Sequence, residues 1–85
     1  MHYTYVLLSE KDKRFYTGCT KDLRRRVREH QTGRVTSTAY RSPLKLIYYE
    51  ACTDADDAMR RERFLKTGKG KRFLKNRLAS YFLTI

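Results

Sequence analysis

The segment from Arg60 to Arg77 is dense in lysine and arginine, yet it holds one carboxylate, Glu62. On a 3.6-residue helix over 54–66, Glu62 falls near the centre of a stripe with Ala55, Ala58, Met59 and Leu65. Arg60, Arg61 and Arg63 point elsewhere. A carboxylate among apolar groups costs several kcal/mol unless something positive meets it. Two partners are open to it. One is an arginine in a structural salt bridge. The other is a magnesium ion, which needs only one or two carboxylates beside waters and substrate phosphates.

More residues able to do chemistry lie earlier. Tyr5 and Tyr16 fall on two neighbouring strands and can stand side by side on one face. Arg26 and His30, four apart on a helix, share a face as well. Taken singly, each has a plainer reading. Tyrosines are common in strands, an arginine in RRRVREH is usually solvated, and a lone histidine is more often hydrogen-bonded at the surface than catalytic.

Elements to position these residues can be read from the periodicity. YTYVLLS (3–9) is β-branched and aromatic, with Tyr3, Tyr5 and Leu7 on one face and Thr4, Val6 and Leu8 on the other, so it is a strand covered on both sides. EKDK (10–13) is a polar turn, and RFYTG (14–18) closes a hairpin. Thr20 or Asp22 caps a helix that runs to about Thr32, with Gly33 as its stop. RVTSTAYRSPL (34–44) is a polar loop and KLIYYEA (45–51) a third strand. Thr53 with Asp56 resembles a capping box for a helix over 54–66. TGKG then makes a bend before a last helix over 71–82. The order β-β-α-β-α-α predicts one α+β domain over 1–85, a small, mainly antiparallel three-stranded sheet covered by helices.

Composition narrows the function classes. Twenty lysines and arginines against nine acids leave a charge of +11 on 85 residues, with a pI near 10.1. Such an excess repels itself in a compact state, so a polyanionic partner is expected, nucleic acid before a membrane surface. No stretch approaches the apolar length of a spanning helix, and MHYTYVLLSEKDK has the wrong flanks for a signal peptide. Cys19 and Cys52, far apart and without CxxC spacing, read as small buried residues in a reducing cytoplasm. TGKGK (67–71) lacks the spacing of a nucleotide-binding loop and reads as an interhelical bend.

Together, Tyr3-Thr4-Tyr5, Tyr16-Thr17-Gly18, Arg26, His30 and Glu62 resemble the GIY-YIG nuclease superfamily, which includes homing endonucleases and the N-terminal domain of the excision-repair nuclease subunit. The stretches "RFYTGCTKDLRRRVREH", "STAYRSPLKLIYYEA" and "RRERFLKTGKGKRFLKNRL" are most similar to its small stand-alone bacterial members. Tyr3 and Thr4 replace the Gly and Ile of the first motif, and Thr17 replaces the Ile of the second. The resemblance implies Mg²⁺- or Mn²⁺-dependent hydrolysis of phosphodiesters, in DNA before RNA, with low sequence specificity and a setting in repair or recombination.

In that scheme Tyr5 activates water, helped by positive charge that lowers its pKa, and Tyr16 positions phosphate or water. His30 aids proton movement, Arg26 holds the scissile phosphate and Glu62 holds the metal. Backbone phosphates fall to Arg24, Arg25, Arg41, Lys69, Lys71 and Arg72. Tyr40 is a further loop candidate, and Asn76 is the nearest match to a C-terminal site asparagine. The expected state is a monomer or weak dimer. The competing readings are a non-catalytic DNA- or RNA-binding protein of the same fold and a small basic ribosome-type protein.

Overall fold

A computed structural model describes the whole chain, Met1–Ile85. Strands β1 (His2–Ser9), β2 (Phe15–Thr20) and β3 (Leu44–Cys52) form one antiparallel sheet in the order β2-β1-β3. Helices α1 (Leu23–Gln31), α2 (Ala55–Leu65) and α3 (Gly68–Arg77) cover it, followed by a short turn of helix, α4 (Ala79–Phe82). The class, the sheet and the element order are those expected.

β1 is central, and this explains why Thr4 through Ser9 are all buried. Its alternation feeds two small cores. Tyr5 and Leu7 pack with Leu44 against Leu23 and Val27 of α1. Val6 packs on the opposite face with Leu65 of α2 and Leu74 of α3. Helices therefore lie on both faces, and each of the two outer strands keeps a free edge.

β3 carries a feature that alternation does not reveal. Its register on β1 slips between Val6, opposite Tyr48, and Leu7, opposite Leu46, leaving Ile47 as an extra residue. In this bulge Ile47 and Tyr48 both pack toward the α2–α3 core.

Local chemistry sets most boundaries. Asp22 caps α1 by accepting from Arg25 N, and Gly33 follows its end at φ 76°. Asp54, rather than Thr53, caps α2, accepting from the backbone of Asp56 and Asp57. Within the polar loop, Thr36–Thr38 form a single 3₁₀ turn.

The last helix begins three residues before the expected 71, with Thr67 capping it through Gly70 N. Gly70 is not in a bend. A Cβ there would collide with the Phe64 carbonyl and crowd Leu65 Cα, so its missing side chain lets α3 cross the end of α2 at close range. The expected 71–82 helix also breaks at Leu78 into α3 and α4.

Three burial expectations are corrected. Met59 is 44% exposed, because the buried stripe of α2 narrows to Ala58 and Leu65. Cys19 and Cys52 are free thiols and only half-buried, since they stand near strand ends where helix cover is partial. No helix is long and apolar enough to cross a membrane.

Candidate active site

The hairpin register places Tyr5 opposite Gly18. This pairing has a steric basis. A Cβ on Gly18 would lie 2.5 Å from the Tyr5 hydroxyl and 2.7 Å from Cζ, so the phenol lies across the space that any side chain would fill. The glycine of the second motif thus houses the tyrosine of the first.

Tyr5 is 1% exposed, and its hydroxyl lies 2.8 Å from Nε2 of His30. His30 is itself fully buried, with Nδ1 2.7 Å from Thr38 Oγ1. The Thr38 hydroxyl has the Val35 carbonyl at 3.5 Å to donate to, which leaves its lone pairs for an Nδ1–H. The network therefore assigns the Nδ1–H tautomer, in which Nε2 accepts the Tyr5 O–H. Burial, reinforced by Arg26, lowers the His30 pKa to about 4 and keeps the ring neutral at pH 7.

Burial also pushes the Tyr5 pKa up to about 12, the proximity of Tyr16 and Glu62 adding to it and the Arg26 guanidinium opposing it. The guanidinium acts in the expected direction, lowering the pKa, but does not prevail. Desolvation outweighs the arginine here, so Tyr5 is a neutral phenol with its proton directed at His30.

Tyr16 shares the face of Tyr5, with ring centroids 6.4 Å apart and its own ring 4.8 Å from that of His30. Its hydroxyl has no protein partner, yet no buried polar atom is left unpaired, so this oxygen reaches solvent. Arg26 projects from α1 beside the Tyr5 hydroxyl. Its Nη1 donates to Glu29 Oε1 at 3.2 Å, and Arg25 flanks the same carboxylate at 3.4 Å. Arg26, more than Arg25, holds the Glu29 carboxyl below its ordinary range.

Glu62 arrives from the opposite layer. α1 packs on one face of the sheet and α2 on the other, across β1 and β2, and the Glu62 charge acts on Tyr5 and Cys19. The Glu62 carboxylate is 24% exposed, and Lys66 Nζ donates to it at 3.0 Å. It also lies against the Cys19 thiol, whose pKa is raised first by burial and then by this charge. No arginine pairs with it, and its neighbour Arg61 is engaged elsewhere. Arg61 binds both Glu50 oxygens, at 2.6 and 3.1 Å, and lies over the rings of Phe64 and Phe73.

Tyr5, Tyr16, Arg26 and His30 thus cluster on the α1 side of the β1–β2 hairpin, and Glu62 approaches the same hairpin from the α2 side. The nucleic-acid candidates scatter more widely. Arg25 borders a hollow with Arg26 and Cys19, and Lys71 borders one with Tyr16 and Lys66. Arg24 lies on another side of α1, with Leu23 and Tyr49. Lys69 and Arg72 are exposed on α3, Tyr40 is 85% exposed, and Asn76 is exposed with no side-chain hydrogen bond to the site. Arg41 is committed to Asp12, at 2.7 and 3.3 Å, and to the carbonyls of Arg14 and Phe15. Thr38 and Glu29 escaped sequence reasoning. Thr38 sits in an aperiodic loop with no signal, whereas Glu29, three residues after Arg26, had a readable helical spacing.

Residues 1–78 match the family model described as the GIY-YIG catalytic domain. The chain belongs to the GIY-YIG family. Among curated proteins it is 41% identical over 68 residues to a UPF0213 protein of Streptococcus pyogenes serotype M5, covering 79% of this chain and 73% of that one. It is 40% identical over 76 residues to a UPF0213 protein of Pediococcus acidilactici, covering 86% and 76%. A solution NMR structure of a UPF0213 protein from Bacillus halodurans superposes with a TM-score of 0.55 at 35% identity, covering 88% of this chain and 82% of that one. The GIY-YIG match thus spans every residue of the cluster and ends before α4.

Proposed function

We propose that the protein is a divalent-metal-dependent endonuclease that hydrolyses phosphodiester bonds in nucleic acid, DNA before RNA, with low sequence specificity. One observation carries this reading: a buried phenol stands beside an imidazole and a guanidinium, with a carboxylate from the other layer near enough to act on it, in a chain of net charge +11.

Fit to a metal was judged from the donors. No three His, Cys, Asp or Glu side chains come together, which suits neither zinc nor a calcium cage. A single partly exposed carboxylate, paired with a lysine four residues on and lying against a thiol, suits Mg²⁺ or Mn²⁺ with water and substrate phosphate as the other ligands. Glu62 would hold it, and the ion would neutralise charge on the phosphoryl and leaving oxygens.

The remaining steps belong to the chain. Arg26, aimed by Glu29, meets the scissile phosphate through its fork of donors. Drawing Arg26 toward the phosphate uncovers the Tyr5 hydroxyl. That hydroxyl takes a proton from the attacking water while passing its own to His30 Nε2, so no free phenolate forms despite a pKa near 12. Thr38 holds the acceptor tautomer. Tyr16, at the mouth, positions water or phosphate.

The decisive experiment is a cleavage assay on forked, nicked, single-stranded and duplex substrates, with and without Mg²⁺ or Mn²⁺. Metal-dependent products lost in Tyr5→Phe and Arg26→Ala are expected. Binding without cleavage of any substrate would leave the non-catalytic binding protein as the correct reading.

A further inference from the structure

A surface hollow of about 760 Å³ lies between the β1–β2 turn and α3. Lys13 and Arg14 form one wall, Lys71 and Lys75 the other, and Phe15 supplies the only apolar surface. Asp12 also lines it, but its carboxylate is neutralised by Arg41, which holds its pKa down to about 2. Neither Lys13, Arg14, Lys71 nor Lys75 has an ion-pair partner. Four cations therefore face one another across the groove with no free anion between them.

Two features of this groove run against stability. Lys13 adopts φ 62°, a left-handed conformation suited to Gly or Asn and unfavourable for a long side chain. Lys71 and Lys75 stand at i, i+4 on one helix face, where like charges repel. An anionic ligand relieves the repulsion on both walls. A second hollow shares Phe15 and Lys71 with the groove and contains Tyr16, so the groove opens onto the candidate active site.

We propose that this groove binds the phosphates of a single-stranded nucleic-acid segment running out of the active site. The direction of the strand rests on the nuclease reading, whereas the binding does not. Its volume is in the range that encloses a drug-sized ligand, room for one or two nucleotides and far too little for a duplex. A basic track beside one half-buried aromatic ring that still lines the groove is the pattern of single-strand sites, where backbone charge gives affinity and a base meets the ring. Arg41 acts as the brace, tying the turn to the loop by four hydrogen bonds that keep the wall upright.

The test is fluorescence-anisotropy titration of a short labelled single strand and of its duplex, in EDTA so that cleavage cannot intervene. Lys13→Gly combined with Lys75→Ala is compared with Arg34→Ala combined with Lys45→Ala, which removes the same charge elsewhere. The groove pair is expected to weaken single-strand binding about tenfold or more and to flatten its salt slope by about 1.4. The control pair and duplex binding are expected to change far less. Because Lys13→Gly relieves the left-handed residue, the groove variant should melt no lower than wild type, which separates lost contacts from lost folding.

Equal losses in both pairs would show that net charge alone matters and would overturn the proposal. An equal loss for duplex would overturn the single-strand assignment. Should the groove pair fold poorly, amide shifts of the wild type on adding the oligonucleotide replace it: perturbation at Lys13, Arg14 and Lys75 supports the groove, and silence there overturns it. A protein that cleaves without any groove effect loses this proposal alone. One that shows the groove effect without cleaving any substrate loses the nuclease reading alone.

Discussion

The Tyr5 hydroxyl and Nε2 of His30 stand 2.8 Å apart in the protein interior. The pair ties stability to pH. The folded pKa of His30, about 4, lies below its ordinary 6.5, so the unfolded chain binds the extra proton between these values. His30 therefore contributes stability that is complete above pH 6.5 and is lost progressively as the pH falls toward 4, by up to about 3 kcal/mol. The carboxyls of Asp12, Glu29 and Glu50 have lowered pKa values, so their contribution is lost only from their ordinary values of 3.8 and 4.5 downward. That loss falls at the acid end of this window, and His30→Gln leaves it in place. Denaturant melts across pH 4.5 to 7 should show the slope in wild type and a flatter one in His30→Gln. An unchanged slope would mean that His30 is not held neutral.

Thr38→Val keeps the shape of the side chain and removes the oxygen that faces Nδ1 of His30. A buried N–H left without a partner costs about 1–3 kcal/mol. Thr38→Ser should recover most of that loss. The nitrogen shifts of His30 should report the Nδ1–H tautomer in wild type and Thr38→Ser, and a mixture in Thr38→Val.

Gly18→Ala should displace the Tyr5 ring and cost about 1–3 kcal/mol. Adding Tyr5→Leu makes room for the new methyl and should restore thermal stability without restoring any cleavage. If Gly18→Ala alone is as stable as wild type, the ring does not depend on that space.

Glu62→Gln removes a surface pair with Lys66 and leaves an amide able to meet the Cys19 thiol, so stability should change by less than about 0.5 kcal/mol. Metal-dependent cleavage should vanish, and metal-free binding to nucleic acid should hold or rise. A clear fall in melting temperature with activity intact would return Glu62 to a structural role.

Arg61→Lys should destabilise the fold by about 1–2 kcal/mol, because lysine replaces neither the bidentate contact with Glu50 nor the stacking on Phe64 and Phe73. Metal-free binding to nucleic acid should be nearly unchanged. A tenfold loss of affinity at equal stability would instead make Arg61 part of the binding surface.

Where a residue's place follows from period and register, the sequence was enough. Tyr5, Tyr16, Arg26 and His30 each lie on the element and face their spacing implied, and the element order was readable throughout. What escaped depends on three-dimensional closeness. The extra residue at Ile47 conserves hydrophobicity and so leaves no trace in the alternation. The early start of α3 was hidden because glycines in TGKGK suggest a turn, while Gly70 serves the crossing of two helices. The raised pKa of Tyr5 and the hydrogen bond from His30 to Thr38 depend on burial by segments distant in the chain. The partner of Glu62 was missed for a different reason. Lys66 was in plain helical spacing, but the depth of the carboxylate, which made an arginine attractive, was overestimated.

The central position of β1 has a consequence for biosynthesis. Of the three strands of this sheet, the one made before the others is the one that needs neighbours on both sides, and β3 ends only at Cys52. Its Thr4 hydroxyl donates to a carbonyl 54 positions later, at Ala58. Until β3 and α2 have emerged, Tyr5 has neither its second flanking strand nor the layer that carries Glu62. A truncated product ending before α2 would keep Tyr5, Tyr16, Arg26 and His30 yet lack the carboxylate and one of the two cores. Late sequence-distant pairing makes such folds slow to close, and here it leaves Tyr5 without the layer that carries Glu62 until α2 has been made.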